Sequence, residues 1–89
     1  MARSLLVGAE IPCPTTAGAA TSFGAATVVR LVNTTGNAHK ITILEEQSGN
    51  GIGSMTMPAG SVEYVEKRAG YVIFAANAGV LGTRVGFTG

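Results

Sequence analysis

"SMTMPAGSVEYVEK", residues 54–67, interleaves apolar and polar residues on both sides of Pro58-Ala59-Gly60. A period of two marks a half-buried strand, and the Pro and Gly in the middle are turn residues, so the stretch reads as two strands joined by a tight turn. Met55 and Met57 share one face of the first strand, Val62 and Tyr64 one face of the second. These four side chains are expected to fill a single core layer. Val65 breaks the alternation, which suits a contact or a bulge.

The same pattern extends in both directions. "TVVRLVN" (27–33) places Val29 and Leu31 opposite Val28, Arg30 and Val32, and "HKITILEE" (39–46) places Ile41 and Ile43 opposite Lys40, Thr42 and Leu44. "YVIFAA" (71–76) is apolar throughout and reads as a strand buried on both faces; "LGTRVGF" (81–87) keeps Leu81, Thr83, Val85 and Phe87 in phase. Turn signals lie between them: "TTGN" (34–37), "SGNG" (48–51), "RAG" (68–70) and "NAG" (77–79). Asn-Gly and its relatives favour tight hairpins. No window of ten or more residues shows a capped 3.6-residue apolar period. Strands recurring about every 10–12 residues predict an all-β chain, a small antiparallel β-sandwich or barrel, immunoglobulin-like or jelly-roll-like. Its expected order is a meander of hairpins with at most one Greek-key crossing.

The N-terminal part is different. "IPCPTTAGAATSFGAA" (11–26) is rich in Ala, Gly and Thr and uncharged. Small residues let a chain lie flat against another surface, so this stretch is an extended arm on a neighbouring subunit, a long crossover or a loose loop. The expected division is an N-terminal strand with an extended arm or loop over 1–26, and a β-sandwich core over 27–89.

An 89-residue chain is one domain with a small core, and such domains gain from a disulfide, a metal or oligomerisation. One cysteine, Cys13, permits no internal disulfide; one histidine, His39, and no aspartate leave no cluster with metal-ligand spacing. Oligomerisation, as a dimer or trimer, is the remaining staple. Charged residues are only 12% of the chain and the net charge is +1, a composition that favours association. Six Lys and Arg spread over the chain make no basic stripe, so nucleic acid is not an expected partner. No run reaches the roughly 20 apolar residues that span a bilayer, and Glu10 interrupts the one faint signal-peptide-like run, so no membrane association is expected. "Asn33-Thr34-Thr35" matches the glycosylation pattern but reads as an ordinary turn.

Parts for catalysis are scarce. Glu45-Glu46 and Glu63/Glu66 differ in strand parity, so each pair points to opposite faces. Cys13, between two prolines, lacks a helix N-terminus to activate it and reads as a packed thiol. "GNGIG" (49–53) lacks the spacing and the following helix of a phosphate cradle. "EKRAG" (66–70) reads as a solvated turn. The expectation is a non-enzyme without cofactor or metal.

Residues 28–88 resemble small virion structural proteins of tailed phages, those of cyanobacteria and marine bacteria in particular. The resemblance is carried by the V-R-L-V-N strand (29–33), the I-G-S-x-T-M-P-x-G stretch (52–60), V-E-x-V-x-K (62–67) and T-x-V-G-F-T (83–88). It implies a β-sandwich component of a virus particle, made in the host cytoplasm and located in the virion. The first reading is a capsid decoration (cement) protein on the major capsid protein lattice. The alternatives are a neck, tail or baseplate adaptor and a carbohydrate- or host-surface-binding module, the last weakened by the absence of Trp and Asp. Partner contacts are expected at Leu5, Leu6, Ile11 and Pro12 of the N-terminal segment and at Phe23.

Overall fold

The computed structural model describes residues 3–6 and 8–88, with the side chains of residues 8–86. Its strands are β1 (Arg3–Leu6), β2 (Ile11–Pro12), β3 (Val28–Asn33), β4 (His39–Leu44), β5 (Gly51–Met57), β6 (Val62–Glu66), β7 (Val72–Ala75) and β8 (Val80–Thr88). The helical content of the described residues is one 3-10 turn, Ala17–Ala19. The chain is all-β, as the alternation predicts.

The strands form two antiparallel sheets. Sheet I has the order β1–β8–β3–β6, with β2 continuing along the β1 edge of β8; sheet II has the order β5–β4–β7. A single bridge, Thr21 to Ile73, adds the N-terminal segment to the outer edge of β7. The pairs β1/β2 with β8, Thr21 with β7, β3 with β6, and β4 with β5 are therefore nested one inside the next. They are the rungs of one long hairpin. Rolling that hairpin until β8 meets β3 and β7 meets β4 closes a two-sheet jelly roll.

This order corrects the expected meander. Only β4 and β5 are both consecutive and paired; the turn 58–60 carries the chain from sheet II to sheet I and leaves β5 and β6 unpaired. Turn chemistry serves an arch between sheets as well as a hairpin, and here a buried side chain selects the arch. Asn33, fully buried at the end of β3, donates from Nδ2 to the carbonyls of Asn37 (2.8 Å), Met57 (2.9 Å) and Pro58 (3.3 Å). Its Oδ1 accepts from the Thr35 amide (3.0 Å) and hydroxyl (2.8 Å). The Gly60 amide donates to the Asn33 carbonyl, and the Asn33 amide to Ser61 O, both at 2.9 Å. Gly60 completes the arch at φ +73°, a conformation that disfavours a side chain. With Nδ2 so engaged, Asn33 is closed to glycosylation in the folded state.

The core lies between the sheets. Val29 and Leu31 of sheet I meet Ile41, Met57, Ile73 and Ala75 of sheet II, each at most 2% exposed. Full burial of a large aliphatic side chain contributes about 1.5–3 kcal/mol. Of the expected layer at 54–67, Met57 is buried and Met55 half-buried, whereas Val62 and Tyr64 are 42% and 47% exposed. They pair with Val32 and Arg30 on the outer face of sheet I.

Residues 11–26 form the crossover. Cys13 N–H donates to Val80 O (2.8 Å), Ala75 N–H to Pro14 O (2.9 Å), and Thr21 and Ile73 exchange two bonds (3.0 and 2.8 Å). The chain thus passes from the edge of sheet I to the edge of sheet II. On the way Ala17 and Ala20 cover Leu44, Val72 and Phe74 on the outer side of sheet II. That cover is why β7 is buried on both faces, and small residues allow it to lie flat. Cys13, Phe23 and Ala26 join the main core, so residues 11–26 belong to the same packed unit as the strands β3 to β8.

The crossover ends in a left-handed turn. Phe23, Gly24 and Ala25 have φ of 55°, 70° and 59°, and Ala26 N–H donates to Ser22 O at 3.2 Å. Each non-glycine residue there costs about 1–2 kcal/mol. Burial of the Phe23 ring against Gly82 and Leu31 offsets it. Lys67, expected in a solvated turn, is instead 7% exposed and donates to the carbonyls of Ala26 (2.6 Å), Arg68 (3.3 Å) and Ala69 (3.3 Å). Desolvation lowers its pKa.

Candidate partner-binding face

Residues directly opposite in an antiparallel ladder share a face. The register aligns Pro12 with Leu81, Leu81 with Val32, and Val32 with Val62. Leu31, next to Val32, points into the core, so this row lies on the outer face of sheet I. It crosses four strands, about 14 Å at the usual strand spacing. Val32 and Leu81 are half-buried, and Pro12 and Val62 are exposed. Beside it the register places Tyr64, Arg30 and Thr83 in a second row. Arg30 is held there by Glu10 at 3.1 Å, an exposed pair worth at most about 1 kcal/mol. The result is an apolar row with a tyrosine and one neutralised arginine at its side.

A second apolar feature lies where the two sheets part. Ile41, Ile43, Gly53, Ser54, Met55 and Val65 line a cleft of about 170 Å³. Ile43 faces Gly53 across the β4–β5 ladder, and Gly53 contributes no side chain to the inner wall. The cleft opens between the β5 and β6 edges. Glu63 pairs with Leu31 and so points to the inner side of sheet I while remaining exposed.

The expected contact residues divide. Leu5 and Leu6 are in β1, opposite Gly86 and Val85 of β8; their side chains lie outside the described residues. Ile11 is 41% exposed, and Pro12 begins the apolar row. Phe23 is corrected: its ring is 6% exposed and belongs to the protein's own core. Ile11 and Phe23 also meet at a shallow pocket with Gly8, Gly24 and Arg84, of about 170 Å³. The sequence reading missed Val32, Leu81, Val62 and Tyr64. The signal was present in "TVVRLVN", which carries valines on both faces although only one can meet the core.

Burial pushes the Cys13 thiol up to about 11, which leaves it protonated and unreactive at neutral pH. Among the described residues no group of three His, Cys, Asp or Glu side chains is placed to hold a metal ion. No described helix is long and apolar enough to cross a membrane. The chain matches no protein-family model, no curated protein and no solved structure with which it was compared.

Proposed function

We propose that this chain is a non-enzymatic structural component of a phage particle, a decoration or cement protein that seats on the lattice of the major capsid protein. The observation that carries the reading is the apolar row Pro12–Leu81–Val32–Val62 across the outer face of sheet I. A sheet face that meets water alone does not need valine and leucine in register on three adjacent strands, with a proline continuing the row on a fourth. The jelly roll adds a fold-level analogy, since capsid proteins use it, but lectins and cupins do too. The resemblance of residues 28–88 to virion proteins favours the first of these.

The test is binding of the purified chain to emptied capsids, together with its copy number against the coat protein in native particles. Hundreds of copies support the decoration reading, and about a dozen or fewer reassign the chain to the neck or tail. Val62→Lys, at an exposed position, is expected to weaken capsid binding at least about tenfold, roughly 1.4 kcal/mol, with the fold intact. Unchanged binding by this variant overturns the assignment of the face. Deletion of the N-terminal segment is not a usable test, because it removes Cys13 and Phe23 from the core.

A further inference from the structure

Strand β5 is an unguarded edge. Gly51–Met57 carries no charge and no proline, five of its seven residues are exposed, and among the described residues its one partner strand is β4. Such an edge is a template for another strand. The neighbouring β6 edge differs, because inward-pointing Glu63 and exposed Glu66 oppose pairing.

We propose that β5 pairs antiparallel with β5 of a second copy, about a two-fold axis through Ser54, so that Met55 of each copy enters the cleft of the other. The amide and carbonyl groups that point away from β4 belong to alternate residues. Two copies therefore bond only in registers where facing residue numbers have an even sum. Centring on Ser54 uses the whole strand and sets Gly53 opposite Met55 of the second copy, and Ile52 opposite Thr56. Gly53 and Met55 both face the inner side, as their partners Ile43 and Ile41 do. The incoming Met55 thus arrives where Gly53 leaves the cleft wall bare. A flexible thioether is suited to an irregular apolar space, and about 170 Å³ accommodates it.

Charge favours the same partner and direction. Lys40 pairs with Thr56 at one end of β5, while Glu45 and Glu46 follow Leu44, which pairs with Gly51 at the other end. Antiparallel pairing brings each copy's lysine end beside the other's glutamate end, and no charge within β5 opposes it. An even-sum register also fixes the shape of the dimer. The two-fold axis stands perpendicular to the joined six-stranded sheet, so both copies of sheet I lie on the same side of it. Their outer faces then look the same way. Resting on the reading of that face as the seat on the lattice, the dimer offers two seats to one surface and gains avidity.

The experiment uses the full-length chain. Sedimentation equilibrium at up to about 100 μM, where dimers of moderate affinity are populated, is expected to give twice the 9.0 kDa chain mass. Ser54→Lys places two like charges on the axis at an exposed position and is expected to give the monomer with an unchanged circular dichroism spectrum. Ser54→Cys is expected to cross-link on oxidation, because facing Cβ atoms lie about 4.5–5.5 Å apart. Thr56→Cys is expected not to, since the two copies of residue 56 are offset by about 14 Å along the strands. A monomeric wild type, or cross-linking at 56 as efficient as at 54, overturns the proposal. Capsid binding is scored separately: a monomer that binds capsids overturns the dimer alone, and a dimer that ignores them overturns the capsid reading alone.

Discussion

Replacing Gly82 with alanine tests how the left-handed turn at 22–26 is held. A Cβ at position 82 would lie 2.6 and 2.7 Å from Cζ and Cε1 of Phe23, and 3.0 Å from Cδ2 of Leu31. Ordinary carbon contacts are about 3.5–4.0 Å, so something must move by roughly an ångström. Gly82 is held between Leu31 of β3 and Ile11 of β2 in the ladder, and Leu31 is fully buried. The Phe23 ring is left to move, and its backbone already occupies a conformation that only the buried ring compensates. The expected loss is about 2–3 kcal/mol, the upper part of the range for overpacking a core. For 89 residues the whole stability is about 4–13 kcal/mol at the usual 0.05–0.15 per residue. Phe23→Leu alone is expected to cost about 1–2 kcal/mol as a partly volume-losing change. It also vacates the space the new methyl needs, so the double variant is expected to be more stable than the two losses predict by at least about 1 kcal/mol. Urea unfolding at constant m-value measures all four corners. Additivity within about 0.3–0.5 kcal/mol would refute the claim that ring and glycine are in contact.

Three further outcomes follow from the fold. Asn33→Asp turns a donor that satisfies three carbonyls into a buried acceptor facing them; at pH 7 it is expected to cost at least about 3 kcal/mol, visible as a fallen urea midpoint. Ala25→Gly removes a side chain from an exposed left-handed residue and is expected to raise stability by about 0.5–1 kcal/mol, which thermal unfolding detects. Cys13 has its pKa raised from 9.0 to about 11 in the fold, so its contribution is complete below pH 9 and is lost as pH rises towards 11. Wild type should therefore lose about 1 kcal/mol per pH unit in that window relative to Cys13→Ala; Lys67, whose lowered pKa acts in the opposite sense, is common to both and cancels.

How much of this was legible depended on the range of the interaction. Alternation in "TVVRLVN" and "HKITILEE" identified the strands and the inward residues Val29, Leu31 and Ile41, because a strand's two faces are a local property. The pairing of strands was not local. "PAG" at 58–60 and "TTGN" at 34–37 carry hairpin chemistry, and what turns both into arches is Asn33, whose contacts reach 24 and 25 residues along the chain to Met57 and Pro58. The small residues of 11–26 let the stretch lie flat on a surface, but nothing in its composition says whose surface. It lies on the protein's own sheet II. Phe23 looked like a loop aromatic free for a partner because its neighbours are small, and its burial follows from Gly82, 59 positions later.

The two sides of the sandwich were built unequally, and Gly53 shows why that matters. Along β7 the edge is closed by backbone bonds to the Pro14 carbonyl and in both directions with Thr21. Along β5 and β6 it is open above an apolar cleft, which a side chain at position 53 would partly cover. Nothing lies within 4 Å of a Cβ built there, and Gly53 has no positive φ that would exclude one. Valine at 53 would face Ile43, cover part of the cleft and gain β-propensity, together about 1–2 kcal/mol for the isolated chain. A core arranged for the stability of the monomer alone would hold such a residue. Glycine forgoes that gain, and the proposed dimer accounts for it by the room left for the Met55 of a second copy. Gly53→Val is therefore expected to move two measurements in opposite directions: a higher urea midpoint under monomeric conditions, and a weaker dimer by sedimentation. If both rise together, the cleft is only a packing defect and the strand-β5 dimer does not use it.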